Sequence, residues 1–177
     1  QLLRVGYDPG NITGIEIQEE RIAEARRLFP NLNFIHGDAT RMEFADNSFD
    51  CICIAYGLRN VTDKDAALRS MYKTLKPGGR ALILEFSKPT HPVFRWLYDK
   101  YSLYGMPFLG ELIVGNRQAY THLPESIRMF PLPDELATLL ENIGFSRVSY
   151  RSLTNGIAVI HLAILWLLVA GDGVTHQ

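Results

Sequence analysis

Four places in this 177-residue chain put polar side chains directly behind an apolar run, and chemistry is expected there. Glu16 stands at the end of NITGIEI, residues 11–17. A carboxylate at that position can accept hydrogen bonds from a ribose diol, as acids do in dinucleotide folds. The alternative is a helix-entry carboxylate favoured by the macrodipole. Asp38 follows a second run in Gly37-Asp38-Ala39. An acid beside a small residue can meet an adenine amine and leave room for the ring, although Gly-Asp is also a common turn. The third place is Ala55-Tyr56-Gly57-Leu58-Arg59-Asn60. Its glycine lets the backbone approach a ligand, with Arg59 and Asn60 aimed at the same crevice. Surface solvation or helix capping explains those two residues equally well. Glu85, in Glu85-Phe86-Ser87-Lys88, adds another carboxylate.

These residues share a site only if the runs before them are parallel strands of one open sheet, because ligands bind beyond the carboxyl ends of such strands. The pattern predicts that arrangement. Strands are expected at 11–17, 33–36, 49–55 and 80–86, the last two with almost no polar interruption, as in a sheet covered on both faces. Between them, residues 19–29 form an amphipathic helix with Ile22, Ala25 and Phe29 on one face and Pro30 as its stop. Thr62-Asp-Lys-Asp65 opens another helix as a capping-box variant, and Lys76-Pro-Gly-Gly79 ends it. The alternation implies right-handed crossovers and an α/β fold. Residues 88–130 break the pattern: Trp96, Tyr98, Tyr101, Tyr104, Phe108 and Tyr120 crowd a stretch with prolines and glycines, expected to be a helical lid. A last helix covers 133–143 with Gly144 as its cap. Strands 147–153 and 156–164 lie two residues apart, a hairpin spacing that makes the C-terminal strand antiparallel. A domain over 1–164 with an atypical tail, 165–177, is the expected organisation.

Composition removes several classes. Eighteen Lys and Arg against 19 Asp and Glu leave a net charge of −1, with no electrostatic case for nucleic acid. Residues 162–170 are apolar throughout but shorter than the ~20 needed to span a bilayer. A buried strand running into an apolar tail is the expectation, with an interfacial anchor second. Cys51 and Cys53 point to one face of a strand, too poorly placed for an ordinary disulfide. With no nearby Cys/His pair they also make a poor zinc site, so no metal is expected and both are read as small buried core residues. A reducing, cytoplasmic compartment fits.

Taken together, the run FDCICIAYGLRNVTDKDAALRSMYKTLKPGGRALILEFSKP and the later segments YDKYS, LPESIRMFP and YRSLTNGIAVIHLA resemble the ubiquinone/menaquinone biosynthesis C-methyltransferases. The likeness covers about residues 11 to 164, and GLRNV, LKPGG and LEFSKP in order are specific to it. The resemblance implies a Rossmann-like class I fold that uses S-adenosylmethionine. It implies methyl transfer to a ring carbon of a polyprenylated quinol, with peripheral contact at the inner face of a membrane as one expectation. By position, Glu16 matches the ribose acid, Asp38 and Ala39 the adenine pair, and Ala55 a cofactor-contacting position that is often Ser. Arg59 and Asn60 match the segment near the reacting groups, Tyr120 matches an aromatic of the lid, and His122 stands where Tyr is familiar. The family's first strand and Gly-rich loop are expected to precede residue 1, which points to an N-terminally truncated chain.

Methyl transfer to carbon needs an ionised quinol hydroxyl beside that carbon. Arginine is too weak an acid to serve as the base, so Arg59 is expected to stabilise the oxyanion. Two rivals share the fold: a non-catalytic remnant, and a membrane-peripheral module that binds prenyl quinones.

Overall fold

The computed structural model describes residues 6–89, 91–101 and 117–166. Its elements follow the predicted alternation: β1 (Thr13–Glu16), α1 (Glu19–Leu28), β2 (Asn33–His36), β3 (Phe49–Ala55), α2 (Lys64–Thr74), β4 (Leu75–Phe86), α3 (Pro92–Lys100), α4 (Arg117–Met129), α5 (Pro133–Ile143), β5 (Arg147–Leu153) and β6 (Ala158–Ile164). The strands form two sheets rather than one. β1 and β2 pair in parallel, and β3, β4, β6 and β5 lie side by side in that order. β3 runs parallel to β4, and β6 runs antiparallel to both β4 and β5, as the hairpin spacing required.

Among the described residues, the core lies on one face of the four-stranded sheet. Ala81 and Ile83 on β4, Ala163 on β6 and Leu68, Met71, Leu136 and Leu140 from α2 and α5 form its core, with Ile52 and Ile54 of β3 against them. Period-2 alternation on the strands and period-3.6 stripes on the helices meet there. The helix ends follow local chemistry. Asp63 Oδ1 accepts from the Ala66 N–H at 2.9 Å, so Asp63, not Thr62, caps α2. α2 stops at Thr74, and Lys76 to Gly79 lie inside the long strand β4, whose register slips against β3 between Phe49 and Cys51. The turn chemistry persists inside that irregularity: Lys76 to Gly79 have no partner on β3, and Gly78 takes a positive φ of 80°. α5 ends on Gly144 at φ 123°, where a Cβ would lie 3.0 Å from the Tyr72 hydroxyl.

Other expectations shift. Of the predicted apolar face of α1, Ile22 is buried and Phe29 is exposed. The β5–β6 connection spans four residues, including a 3-10 turn at Thr154–Gly156 with Asn155 at φ 55°. Cys51 and Cys53 are exposed, not buried. They lie on the face of β3 away from the core cluster, and among the described residues β3 pairs on one edge. Of the proposed lid, α3 and α4 are helical, while Tyr104 and Phe108 lie outside the described residues, as does the tail beyond Trp166.

One polar residue is buried in the middle of the sheet. His161 is 2% exposed; its Nε2 lies 3.0 Å from the Pro133 carbonyl, and its Nδ1 has no partner among the described residues. Burial holds its pKa below the ordinary value, against the raising effects of that carbonyl and of Asp134. Folding then favours the neutral ring, so stability is full above pH ~6.5 and falls as the pH drops through that value. We expect the melting temperature to fall between pH 7 and pH 5, with a shallower fall in His161→Gln; calorimetry at several pH values checks this. Gly144→Ala should lower stability by about 1 kcal/mol or more, because it strains a positive φ and crowds Tyr72; urea denaturation measures it.

Candidate functional site

At the carboxyl end of β3 the chain turns sharply. Tyr56 takes a positive φ of 55°, and Leu58–Asn60 form one 3-10 turn capped by Gly57. The turn is held from the neighbouring strand. Glu85, 2% exposed near the end of β4, accepts from the Arg59 N–H through Oε1 and from Arg59 Nη1 through Oε2, each at 3.1 Å. Arg59 Nη1 also donates to the Tyr56 carbonyl. The guanidinium lies 5.4 Å from the centre of the Phe86 ring, and Tyr56 packs on that ring at 4.4 Å. Arg59 is 12% exposed, and its Nε is buried with no acceptor among the described residues. An orphaned buried donor costs about 1–3 kcal/mol. It leaves the guanidinium with one donor uncommitted. Asn60 is exposed, and Ala55 is exposed at the strand end, where a hydroxyl would add a polar contact.

The second cluster lies at the carboxyl ends of β1 and β2. Glu16 Oε1 accepts from the N–H groups of Ile17 and Gln18 at 2.9 and 3.1 Å. This is the helix-entry role, with Oε2 free of hydrogen bonds among the described residues. Opposite it in the register stands His36, whose Nε2 lies 2.9 Å from the Ile17 carbonyl. Asp38 is exposed; its Oδ1 accepts from the Thr40 N–H at 2.8 Å and caps the turn Ala39–Arg41. Ala39 packs against the main core, and the Met42 N–H donates to Ser70 Oγ at 2.9 Å, so this cluster is tied to α2. A cavity of about 580 Å³ opens here, with Ile15, Ile35, Gly37, Asp38, Arg41 and Phe44 among its lining. Its volume suits a nucleoside-sized ligand. Glu16 does not line it.

Glu16, Asp38, Ala39, Ala55, Arg59 and Asn60 thus all stand at carboxyl ends of strands, in two clusters joined through α2. Tyr120 lies in α4, and Pro124 one turn later sits within that helix. The aromatic pair Tyr56 and Phe86 escaped the sequence reading. Their signal was present: both immediately follow or end an apolar strand. Among the described residues, one uncommitted oxygen on each of Glu16 and Asp38 and the cavity that Asp38 lines fit a ligand with a ribose and an amine-bearing base.

This is the architecture of S-adenosylmethionine-dependent methyltransferases. One solved example, from Methanosarcina mazei, superposes with a TM-score of 0.60 over 93% of this chain and 86% of that one, at 21% identity. Residues 8–165 match the ubiE/COQ5 methyltransferase family, and the chain belongs to it. It is 46% identical over 154 residues to the ubiquinone/menaquinone biosynthesis C-methyltransferase UbiE of Pseudomonas putida, covering 87% of this chain and 60% of that protein. To UbiE of Haemophilus ducreyi it is 50% identical over 131 residues, 74% of this chain and 51% of the relative. The chain therefore spans about 60% of the length of the first of these relatives.

The ion pair makes a stability prediction. Removing one partner of a buried pair leaves an uncompensated charge, at a cost of about 3–5 kcal/mol. Glu85→Ala should lie toward the lower end of that range because Arg59 keeps some solvent. Arg59→Met with Glu85→Leu should recover part of the loss, as urea denaturation of the single and double variants will show.

Proposed function

We propose that this chain serves S-adenosylmethionine-dependent C-methylation of a polyprenylated quinol. The substrate is either demethylmenaquinol, giving menaquinol, or the 2-methoxy-6-polyprenyl-1,4-benzoquinol of ubiquinone synthesis. The observation that carries the reading is the orphaned Arg59 Nε beside the Tyr56–Phe86 aromatic pair. S-adenosylmethionine, when bound, supplies an electrophilic methyl group. Asp38 with Ala39 would receive the adenine, and the free oxygen of Glu16 the ribose. Asn60 and Tyr120 would line the quinol side. The quinol ring carbon becomes nucleophilic as its neighbouring hydroxyl loses a proton. Arg59, already fixed by Glu85, would then stabilise the oxyanion.

The lid helix supports a lipid-borne substrate. Val93, Trp96 and Leu97 are 69%, 62% and 56% exposed on one side of α3, and Tyr101 follows one turn later. Such a stripe suits isoprene units or the surface of a bilayer, on the cytoplasmic side of the inner membrane. No helix among the described residues is long and apolar enough to cross a membrane. In vesicle flotation, Trp96→Ser with Leu97→Ser should lower partitioning at least tenfold, since burying each of those side chains contributes roughly 1.5–3 kcal/mol.

Methyl-labelled S-adenosylmethionine with a short-chain demethylmenaquinol or benzoquinol tests the reaction. Label should enter the ring carbon, more slowly than with a full-length relative. Arg59→Met should reduce kcat roughly a hundredfold, the scale of one oxyanion donor. A second reading, a non-catalytic relative, is favoured by the absence of hydrogen bonds between the two sheets among the described residues. It predicts no heat on titration with S-adenosylhomocysteine and no label transfer.

A further inference from the structure

Four residues other than glycine take a positive φ among the described residues: Asn47, Thr154 and Asn155 in polar turns, and Tyr56 at 55°. Asparagine enters that region readily, whereas a ring-bearing side chain does so at a cost. Gly57, next in the chain, would take it freely but stands at φ −115°. The surroundings impose the strain on Tyr56. Its N–H donates to the Leu84 carbonyl of β4 at 2.8 Å, and its carbonyl accepts from Arg59 Nη1, which Glu85 holds in turn. Strained backbone persists only where its surroundings impose it, and such residues gather at ligand sites.

The conformation determines where the ring goes. It lies against Phe86 with the ring centres 4.4 Å apart and the planes 33° from parallel, and it remains 39% exposed. The Phe86 ring also meets the Arg59 guanidinium at 5.4 Å, which brings a fixed positive charge to the same shelf. The shelf stands at the carboxyl ends of β3 and β4, the edge of an open α/β sheet where ligands bind. Packing on Phe86 alone does not account for an aromatic at position 56: leucine would cover that ring as well, and asparagine would spare the strain.

We propose that Tyr56 is the ring-binding residue of the acceptor site and sets its preference for an aromatic acceptor. This assignment rests on the quinol reading given above and adds to it the side chain that recognises the ring. A flat quinol offset on the exposed side of Tyr56 makes an aromatic contact at the usual centre-to-centre distance of about 4.5–7 Å. A saturated ring of the same outline has no π face to offer and loses that contact.

The test uses the complete chain and two tail-free probes, 1,4-naphthalenediol handled without oxygen and its saturated analogue decahydronaphthalene-1,4-diol. Ligand-observed NMR titration gives both affinities. The unaltered chain should prefer the aromatic diol about tenfold, the scale of one aromatic contact. Tyr56→Phe should keep that preference. Tyr56→Leu and Tyr56→Asn should lose it through weaker binding of the aromatic diol alone. Tyr56→Asn relieves the positive φ and so guards against a misfolded variant, with circular dichroism confirming the fold of each. A preference that survives in Tyr56→Leu and Tyr56→Asn, or that disappears in Tyr56→Phe, would overturn the proposal. Binding that ignores residue 56 sinks this assignment alone, whereas no binding of either diol by the unaltered chain would sink the quinol reading with it.

Discussion

The pairing of β4 on both edges is the constraint on which the rest of this structure depends. Its left neighbour β3 is parallel and its right neighbour β6 antiparallel. Its buried residues, Ala81, Ile83 and Glu85, set the depth at which α2 and α5 pack. A strand so enclosed has no freedom to slip, because a one-residue shift would turn Ile83 out of the core and Leu84 into it. Fixed register is also what makes the end of the strand a reliable place for chemistry. Glu85 arrives at its position because Gly79, Ala81 and Ile83 precede it, buried at alternate positions, and Arg59 is held because Glu85 is.

The two polar clusters differ in kind. Around Arg59 the groups are buried, mutually bonded and rigid. Around Glu16 and Asp38 they are solvated and spend their inner oxygens on the backbone turns that begin α1 and the segment after β2. A buried, pre-bonded guanidinium is held in one place, whereas solvated carboxylates keep one oxygen each for whatever comes to the surface.

Much of this was legible in the sequence, for physical reasons that can be named. β2, β3, α5 and β5 follow directly from apolar periodicity bounded by Pro, Gly and Asp. The helix stop at Lys76-Pro77-Gly78-Gly79 was readable too, but not that β4 would begin at Leu75, because local turn preference cannot see the long-range pairing of Leu75 with Phe49. The exposure of Cys51 and Cys53 was hidden for a similar reason: an apolar strand reports that it is suited to burial, not which of its faces has a neighbour. At the site, the positions at strand ends were readable. The Glu85–Arg59 pair was not, since its partners are 26 residues apart and meet only through the β3–β4 register.

The place of β6 in the sheet has a consequence for how the molecule is made. β6 is the last of the described strands, yet it lies inside the sheet, between β4 and β5. A ribosome that has delivered everything through β5 has delivered a sheet that cannot close, with one edge of β4 still open and β5 with nothing to pair against. Assembly must wait for residues 158–164, and a stretch of some seventy residues between β4 and β6 must already be out of the way. Such late, long-range closure is slow and leaves apolar edges exposed meanwhile. The chain thus depends on its final strand as a keystone, and any lesion there is felt at Glu85 and the arginine it holds.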